Sequence, residues 1–400
     1  MARPAQENLN GTDLSKPIPP SRPMKGWKDN PIDDKGAAFN EPLVPLGIFT
    51  EDHRSTYCPE IFTDGIYYGE RDTSPYGVGE LDGALITGFV REGVAKRLAQ
   101  ASQLLPPGYA FLVRDPLRTE QVQRSLFEHF KNKLMAPPFN YSEEVAIEKT
   151  QDYVSQPSRA NSPHMTGGAV DLTIIEFEPE AWAEMQRLTA QLKSLPPPAD
   201  PQGVDLTPLE ERRYRIEMQR YALMREHSKM LDMGVAFDEV SADTLGNPKT
   251  ALRYYEEKLE RDGGLAPEDR EPLKNRRILY NALSAVGFTF FPEEPWHADF
   301  GNKFWAQQSG APAALYGYAA PSPENMWHED IRRKHHANNI ALNRRETPVQ
   351  AMDKTGRVNS LVSTVFAIAQ RLGGMRARGQ HHLAERINPD KLMPLDAPQP

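Results

Sequence analysis

Two short segments hold the residue types that metal-assisted hydrolysis needs. Ser162-Pro163-His164-Met165-Thr166-Gly167-Gly168-Ala169-Val170-Asp171 sets a histidine in a Gly-rich turn and a carboxylate seven residues later, just inside a strand-like run. Glu294-Pro295-Trp296-His297 follows another apolar stretch. Together they offer two imidazoles and one carboxylate, with a second carboxylate three residues before a histidine. Two nitrogens and one oxygen suit a tetrahedral Zn²⁺ that keeps its fourth position for water. Zinc lowers the pKa of such a water, and a nearby carboxylate can take its proton. On spacing alone, however, H-x6-D arises by chance in many chains and a single histidine is commonly structural, so both readings stay open.

The wider context narrows the choice. S-x-H-x-x-G-x-A-x-D-L-T over 162–173, followed far downstream by the E-x-W-H of 294–297, resembles the D-alanyl-D-alanine dipeptidase family of zinc peptidases. Asp115-Pro116-Leu117-Arg118 sits where that family has D-x-Y-R. Leu231-Asp232-Met233-Gly234 with Phe237-Asp238 is similar to its M-G-x-x-F-D segment. Asn275-Arg276-Arg277 and then Gly287-Phe288 resemble the helix and strand leading into its E-W-W-H, and Tyr57 with Phe62-Thr63 resembles its early Y-x-x-x-x-N-F-T-G stretch.

Strands and helices that do not alternate regularly point to an α+β fold, and the resemblance implies a central antiparallel sheet flanked by helices, with one zinc per chain bound by His164, Asp171 and His297. Glu294 would be general base and then acid, and Arg118 would stabilise the oxyanion. Asp238 would hold the free ammonium of a small peptide substrate, with Ser162 and Tyr57 in its pocket. The expected reaction is hydrolysis of a dipeptide such as D-Ala-D-Ala in peptidoglycan turnover. A fixed guanidinium beside a metal opposes the charge that develops on the scissile carbonyl oxygen, which agrees with these roles.

Departures fall on the pocket. Pro295 and Ala298 replace a tryptophan and a tyrosine, Leu117 replaces the tyrosine of the arginine motif, Ile61 stands for asparagine, and Ser241-Ala242-Asp243 replaces S-H-H. They leave room for a D,D- or L,D-carboxypeptidase acting on wall peptides, for a dipeptidase of specialised metabolism, and for a non-catalytic zinc scaffold.

The elements that would position these residues can be read from periodicity. Val90, Val94, Leu98 and Leu105 predict a helix over 90–105, and Tyr109–Val113 a buried strand. Thr119 caps a helix carrying Val122, Leu126 and Phe130. Residues 169–175 read as a strand and 178–194 as a helix. Thr207-Pro208-Leu209-Glu210 is a capping box opening a helix with Leu209, Ile216, Leu223 and Met230 seven apart. A helix over 273–286, a strand over 288–291 and a last helix over 359–372 complete the reading. Gly167-Gly168 lacks the Lys-Ser/Thr of a phosphate loop and reads as a tight turn.

Thirty-six prolines in 400 residues are about 9%, against about 5% in ordinary chains. Eight fall in the first 45 residues and four in 196–201. The expected organisation is a Pro-rich arm over 1–48, a catalytic domain over 49–305 with a helical insertion at about 176–230, and an extension over 306–400. The net charge of −8 argues against nucleic acid as main partner. No apolar run is long enough to span a bilayer, the N-terminus lacks a signal-like apolar core, and the single Cys58 allows no internal disulfide, so a cytoplasmic location is expected. Cys58 reads as a bystander thiol, and His335-His336 and His381-His382 as surface histidines. The inserted or C-terminal helices offer a route to a homo-oligomer.

Overall fold

The structure, a computed structural model, describes residues 11–46, 61–68, 76, 81–151, 154–195, 208–237 and 247–321. Tyr57, Cys58, Asp238, both histidine pairs and the helix expected over 359–372 lie outside the described residues. The fold is α+β, with helices on both faces of one sheet. No described helix is long and apolar enough to cross a membrane.

The sheet is built on β5 (Ala169–Phe177) and β4 (Tyr109–Asp115), which pair antiparallel. β2 (Ile61–Thr63) adds to β4, and β8 (His297–Asp299) and β7 (Thr289–Phe290) continue beyond β5. β6 (Ser228–Met230) pairs with the far end of β5. The sheet is mixed rather than wholly antiparallel, because β2 runs parallel to β4. The short β1 (Leu43–Pro45) and β3 (Phe89–Arg91) form a separate antiparallel pair.

Both faces of β5 are buried, which explains its nearly continuous apolar run. Val170, Leu172 and Ile174 pack with Phe111 and Val113 against α1 (Glu92–Ser102) and α7 (Pro267–Ser284). On the other face, Ile175 and Phe177 pack with Ala110 and Leu112 against α4 (Pro179–Ser194) and α5 (Pro208–Glu226). Side chains alternate along a strand, so Asp171 lies on the α4–α5 face, at the opposite end of β5 from Phe177. The helices cover the apolar end, and the polar end is left to the functional cluster.

Helix starts follow their capping residues. Thr119 accepts from Val122 N at 3.1 Å to open α2 (Glu120–Met135). Ser142 does the same for α3 (Glu143–Thr150), a helix absent from the periodicity reading because its amphipathic pattern is weak. Val90 belongs to β3, so the helix expected from residue 90 begins at Glu92. Met230 lies in β6, so the seven-residue repeat stops being helical after Leu223. α7 starts at Pro267 rather than 273, with Pro272 tolerated inside it. Arg276 of α7 is buried and donates to the carbonyls of Met233, Lys249, Ala251 and Leu252, tying two loops to the helix.

The Pro-rich arm wraps the domain. Ile18 is buried, donates its N–H to Glu256 at 2.8 Å, and its carbonyl accepts from Arg253. Further on, Arg22 and Pro23 bond with Gln308 and Gln307 of α8 (Lys303–Ser309), and Asp33 pairs with Ala314.

Candidate metal centre

Pairing in the sheet aligns the cluster before any side chain is considered. Asp115 of β4 lies opposite Asp171 of β5, and Asp171 lies opposite His297 of β8. One row thus crosses three strands. The register shifts between Val113 and Asp115, so Val113 pairs with Leu172 on the α1–α7 side while Asp115 lands beside Asp171. Such a bulge re-aims a side chain that regular alternation would send to the other face.

His164 arrives from a single turn of 3₁₀ helix, His164–Thr166, that ends on Gly167 at φ +68°. A side chain on Gly167 would bring Cβ within 2.6 Å of Leu43 Cδ2, and one on Gly168 within 2.6 Å of the Phe300 carbonyl. The turn therefore needs both glycines, as the sequence reading expected of a tight turn rather than a phosphate loop. The His164 carbonyl accepts from Gly167 N and Arg118 N, which ties the turn to the arginine loop.

His164, Asp171 and His297 are all buried, and their ligating atoms converge. His164 Nε2 lies 3.2 Å from His297 Nδ1 and 3.5 Å from Asp171 Oδ2. His297 Nδ1 lies 3.0 Å from Asp171 Oδ1, and the two rings stand edge to face. Metal bonds of about 2.0–2.1 Å at tetrahedral angles put ligand atoms about 3.3 Å apart, so the spacing suits a small cation. The outer nitrogens are held by acceptors. His164 Nδ1 lies 3.0 Å from the Pro116 carbonyl, and His297 Nε2 3.0 Å from Asp299 Oδ1. With the outer nitrogens facing these acceptors, the inner nitrogens are the ones that would bind a cation, the arrangement typical of metal-binding histidines. Asp171 Oδ1 is buried without a hydrogen-bond donor. The His164–Asp171–His297 group can bind a metal ion.

Charge points the same way. Asp115, Asp171 and Asp299 are buried carboxylates, and the nearest guanidinium among them is that of Arg118. Three buried carboxylates crowd one guanidinium, so the cluster carries an excess of acidic groups that a bound cation would relieve. Burial opposes protonation of His297, but Asp299 and Asp171 outweigh it and hold the ring well above the ordinary imidazole range. Burial, with Arg118 and His297 adding repulsion, holds His164 well below that range. Burial pushes Asp171 up to about 6, against the pull of His297 and Arg118.

Glu294 stands at the rim with its side chain 31% exposed, and Oε2 is 3.6 Å from His297 Nδ1. Desolvation by the surrounding protein pushes its carboxyl up to about 7, although His297 draws it down. Arg118 lies beside the cluster. Its Nε donates to Asp115 Oδ2 at 2.9 Å, Nη2 also bonds Asp115, and Nη1 donates to Gln123 at 2.9 Å. Gln123 in turn donates to the Ser155 carbonyl at 2.7 Å. Asp115 outweighs burial and holds the guanidinium above its ordinary range.

The structure thus brings His164, Asp171, His297 and Glu294 together, with Arg118 at their flank. Ser162 is buried two residues before His164, with its N–H on the Ser158 carbonyl. Asp115, Gln123, Asp299 and Asn302 were given no role from sequence. Asp115 was visible inside the arginine motif. Asp299 becomes legible only when β8 is known to be a strand, since alternation then puts it on the face of His297. No family model matches the chain, and no curated protein matches its sequence.

Proposed function

We propose that the protein is a zinc peptidase that hydrolyses a short peptide, with a dipeptide of the D-Ala-D-Ala type as the first substrate to test. The observation that carries this reading is the convergence of two imidazole nitrogens and a carboxylate, with Glu294 Oε2 only 3.6 Å from one of those nitrogens. A structural ion pair needs no fourth group of that kind at an open rim.

Zinc held by His164 Nε2, Asp171 and His297 Nδ1 would supply Lewis acidity and a nucleophilic water near neutral pH. The chain's own residues do the rest. Glu294 takes the proton of the attacking water on Oε2 as the O–C bond forms. It then returns that proton to the amine nitrogen as the C–N bond breaks. A bound cation would favour the carboxylate that takes the proton, while desolvation by the surrounding protein favours the acid that returns it. Arg118 uses three of its five N–H groups on Asp115 and Gln123, which leaves two for the negative charge on the carbonyl oxygen. Asp115 and Gln123 keep the guanidinium from reorganising during reaction, which is how such groups accelerate hydrolysis.

The test is a panel of the four stereoisomers of Ala-Ala together with longer wall peptides, assayed on zinc-loaded protein. Turnover of dipeptides over longer peptides is expected, and Glu294→Ala should bind zinc yet lose at least about 10²-fold in rate. Cleavage confined to longer peptides would instead favour the carboxypeptidase reading.

A further inference from the structure

The strand β8 ends in a short chain of contacts that leads away from the metal group. His297 Nε2 meets Asp299 Oδ1 at 3.0 Å, and the same oxygen accepts from Asn302 Nδ2 at 2.6 Å. Asp299 is fully buried and Asn302 nearly so. Asn302 is also the N-cap of α8, where its Oδ1 accepts from Trp305 N at 2.9 Å. That cap fixes which way the amide faces. Its oxygen is committed to the helix, so its nitrogen must point at Asp299. The carboxylate is thereby held from one side by the helix start and presents Oδ1 to the imidazole.

We propose that Asp299 and Asn302 form a positioning pair that selects the metal-facing nitrogen of His297. Asp299 keeps the proton on Nε2, so the Nδ1 lone pair faces His164 and Asp171. Asn302 holds Asp299 in the orientation that does so. A carboxylate behind a metal-bound histidine also makes the ring a stronger donor, and losing such a partner typically costs 10–100-fold in metal affinity. The pair connects the site to the arm. Lys303 of α8 donates to the Lys28 carbonyl at 2.7 Å, Trp27 packs edge to face on Phe304 at 4.2 Å, and the Phe304 ring lies 5.9 Å from that of His297. This inference rests on the metal reading above, but not on the reaction.

Variants separate positioning from folding. Asn302→Ser keeps a side-chain oxygen able to cap α8 but removes the amide donor to Asp299. It should still fold cooperatively, with a lower melting temperature because a buried bond to a carboxylate is lost, and bind zinc about three- to tenfold more weakly, as for a lost outer partner. Asp299→Ala should weaken zinc about 10–100-fold. Asp299→Asn still offers an oxygen to Nε2–H and should fall between the wild type and Asp299→Ala. Affinities are read by competition with a chromophoric chelator. In zinc-loaded wild type, long-range ¹H–¹⁵N correlation should show His297 protonated on Nε2 and metallated on Nδ1. The proposal is overturned if Asp299→Asn and Asn302→Ser both bind zinc within twofold of the wild type, or if His297 carries its proton on Nδ1. Should Asp299→Ala fail to fold, the other two variants carry the test. Zinc bound as described but with no hydrolysis would overturn only the peptidase reading, whereas a wild-type chain that binds no zinc would overturn both.

Discussion

Two imidazole nitrogens and a carboxylate about 3 Å apart inside a protein call for a positive charge between them. In the metal-free chain a proton on His297 answers part of that demand, and a divalent cation answers more of it. Glu294 shows the cost of the arrangement. Its folded pKa, about 7, lies above the ordinary 4.5, so the native state binds this proton more tightly than the unfolded chain does. Its contribution to stability is therefore present below pH 4.5 and is lost as pH rises through 7. Melting temperatures of metal-free protein should fall over that interval more steeply in wild type than in Glu294→Gln. Equal slopes would show that the carboxyl is not desolvated as described. Zinc should remove the difference, because a nearby cation favours the carboxylate.

The elements do the aligning. Three strands place Asp115, Asp171 and His297 in one row, a shift in β4 brings the first of these to the right face, and a glycine turn delivers His164. The turn is the most exacting piece. Gly167→Ala forces a side chain at φ +68° and puts Cβ 2.6 Å from Leu43 Cδ2. A cost of at least about 1 kcal/mol is expected from the backbone alone, with zinc affinity falling because His164 moves. Thermal melts and zinc titration check this; an unchanged zinc affinity would mean that the turn does not set the ligand.

The same elements show what was legible in the sequence. Long, strongly patterned pieces were readable: β4 and β5 from their apolar runs, α2 from Thr119, and α5 from its start at Pro208. Among the short strands, β7 was readable from the apolar run over 288–291, but β2 and β8 are three residues long and are stabilised by neighbours rather than by their own pattern. The residues of the metal group were named from motif context. Their partners were harder to see, because Asp299 and Asn302 join the site through a strand too short to recognise. The parallel pairing of β2 on β4 is a consequence of the path of the chain between them, and no local signal carries it.

At the scale of the molecule, the arm is part of the domain and not an appendage. Proline-rich chain has little regular structure to form, so it makes its backbone bonds to other side chains: Ile18 to Glu256 and Arg253, Ser15 to Arg277, and Leu14 and Lys16 to Asn281. Ile18→Ala removes a fully buried side chain and should cost about 2–5 kcal/mol, read as a lower denaturation midpoint. A loss below about 0.5 kcal/mol, within the range of ordinary surface substitutions, would show that the arm detaches freely in solution.

The most direct test joins metal to turnover. Protein stripped by a chelator is titrated with zinc while hydrolysis of D-Ala-D-Ala and the related peptides is followed. The account predicts no activity without metal, full activity at one zinc per chain, and one zinc but no turnover in Glu294→Ala. One equivalent of zinc bound by the wild type, with no peptide in the panel hydrolysed, would contradict it.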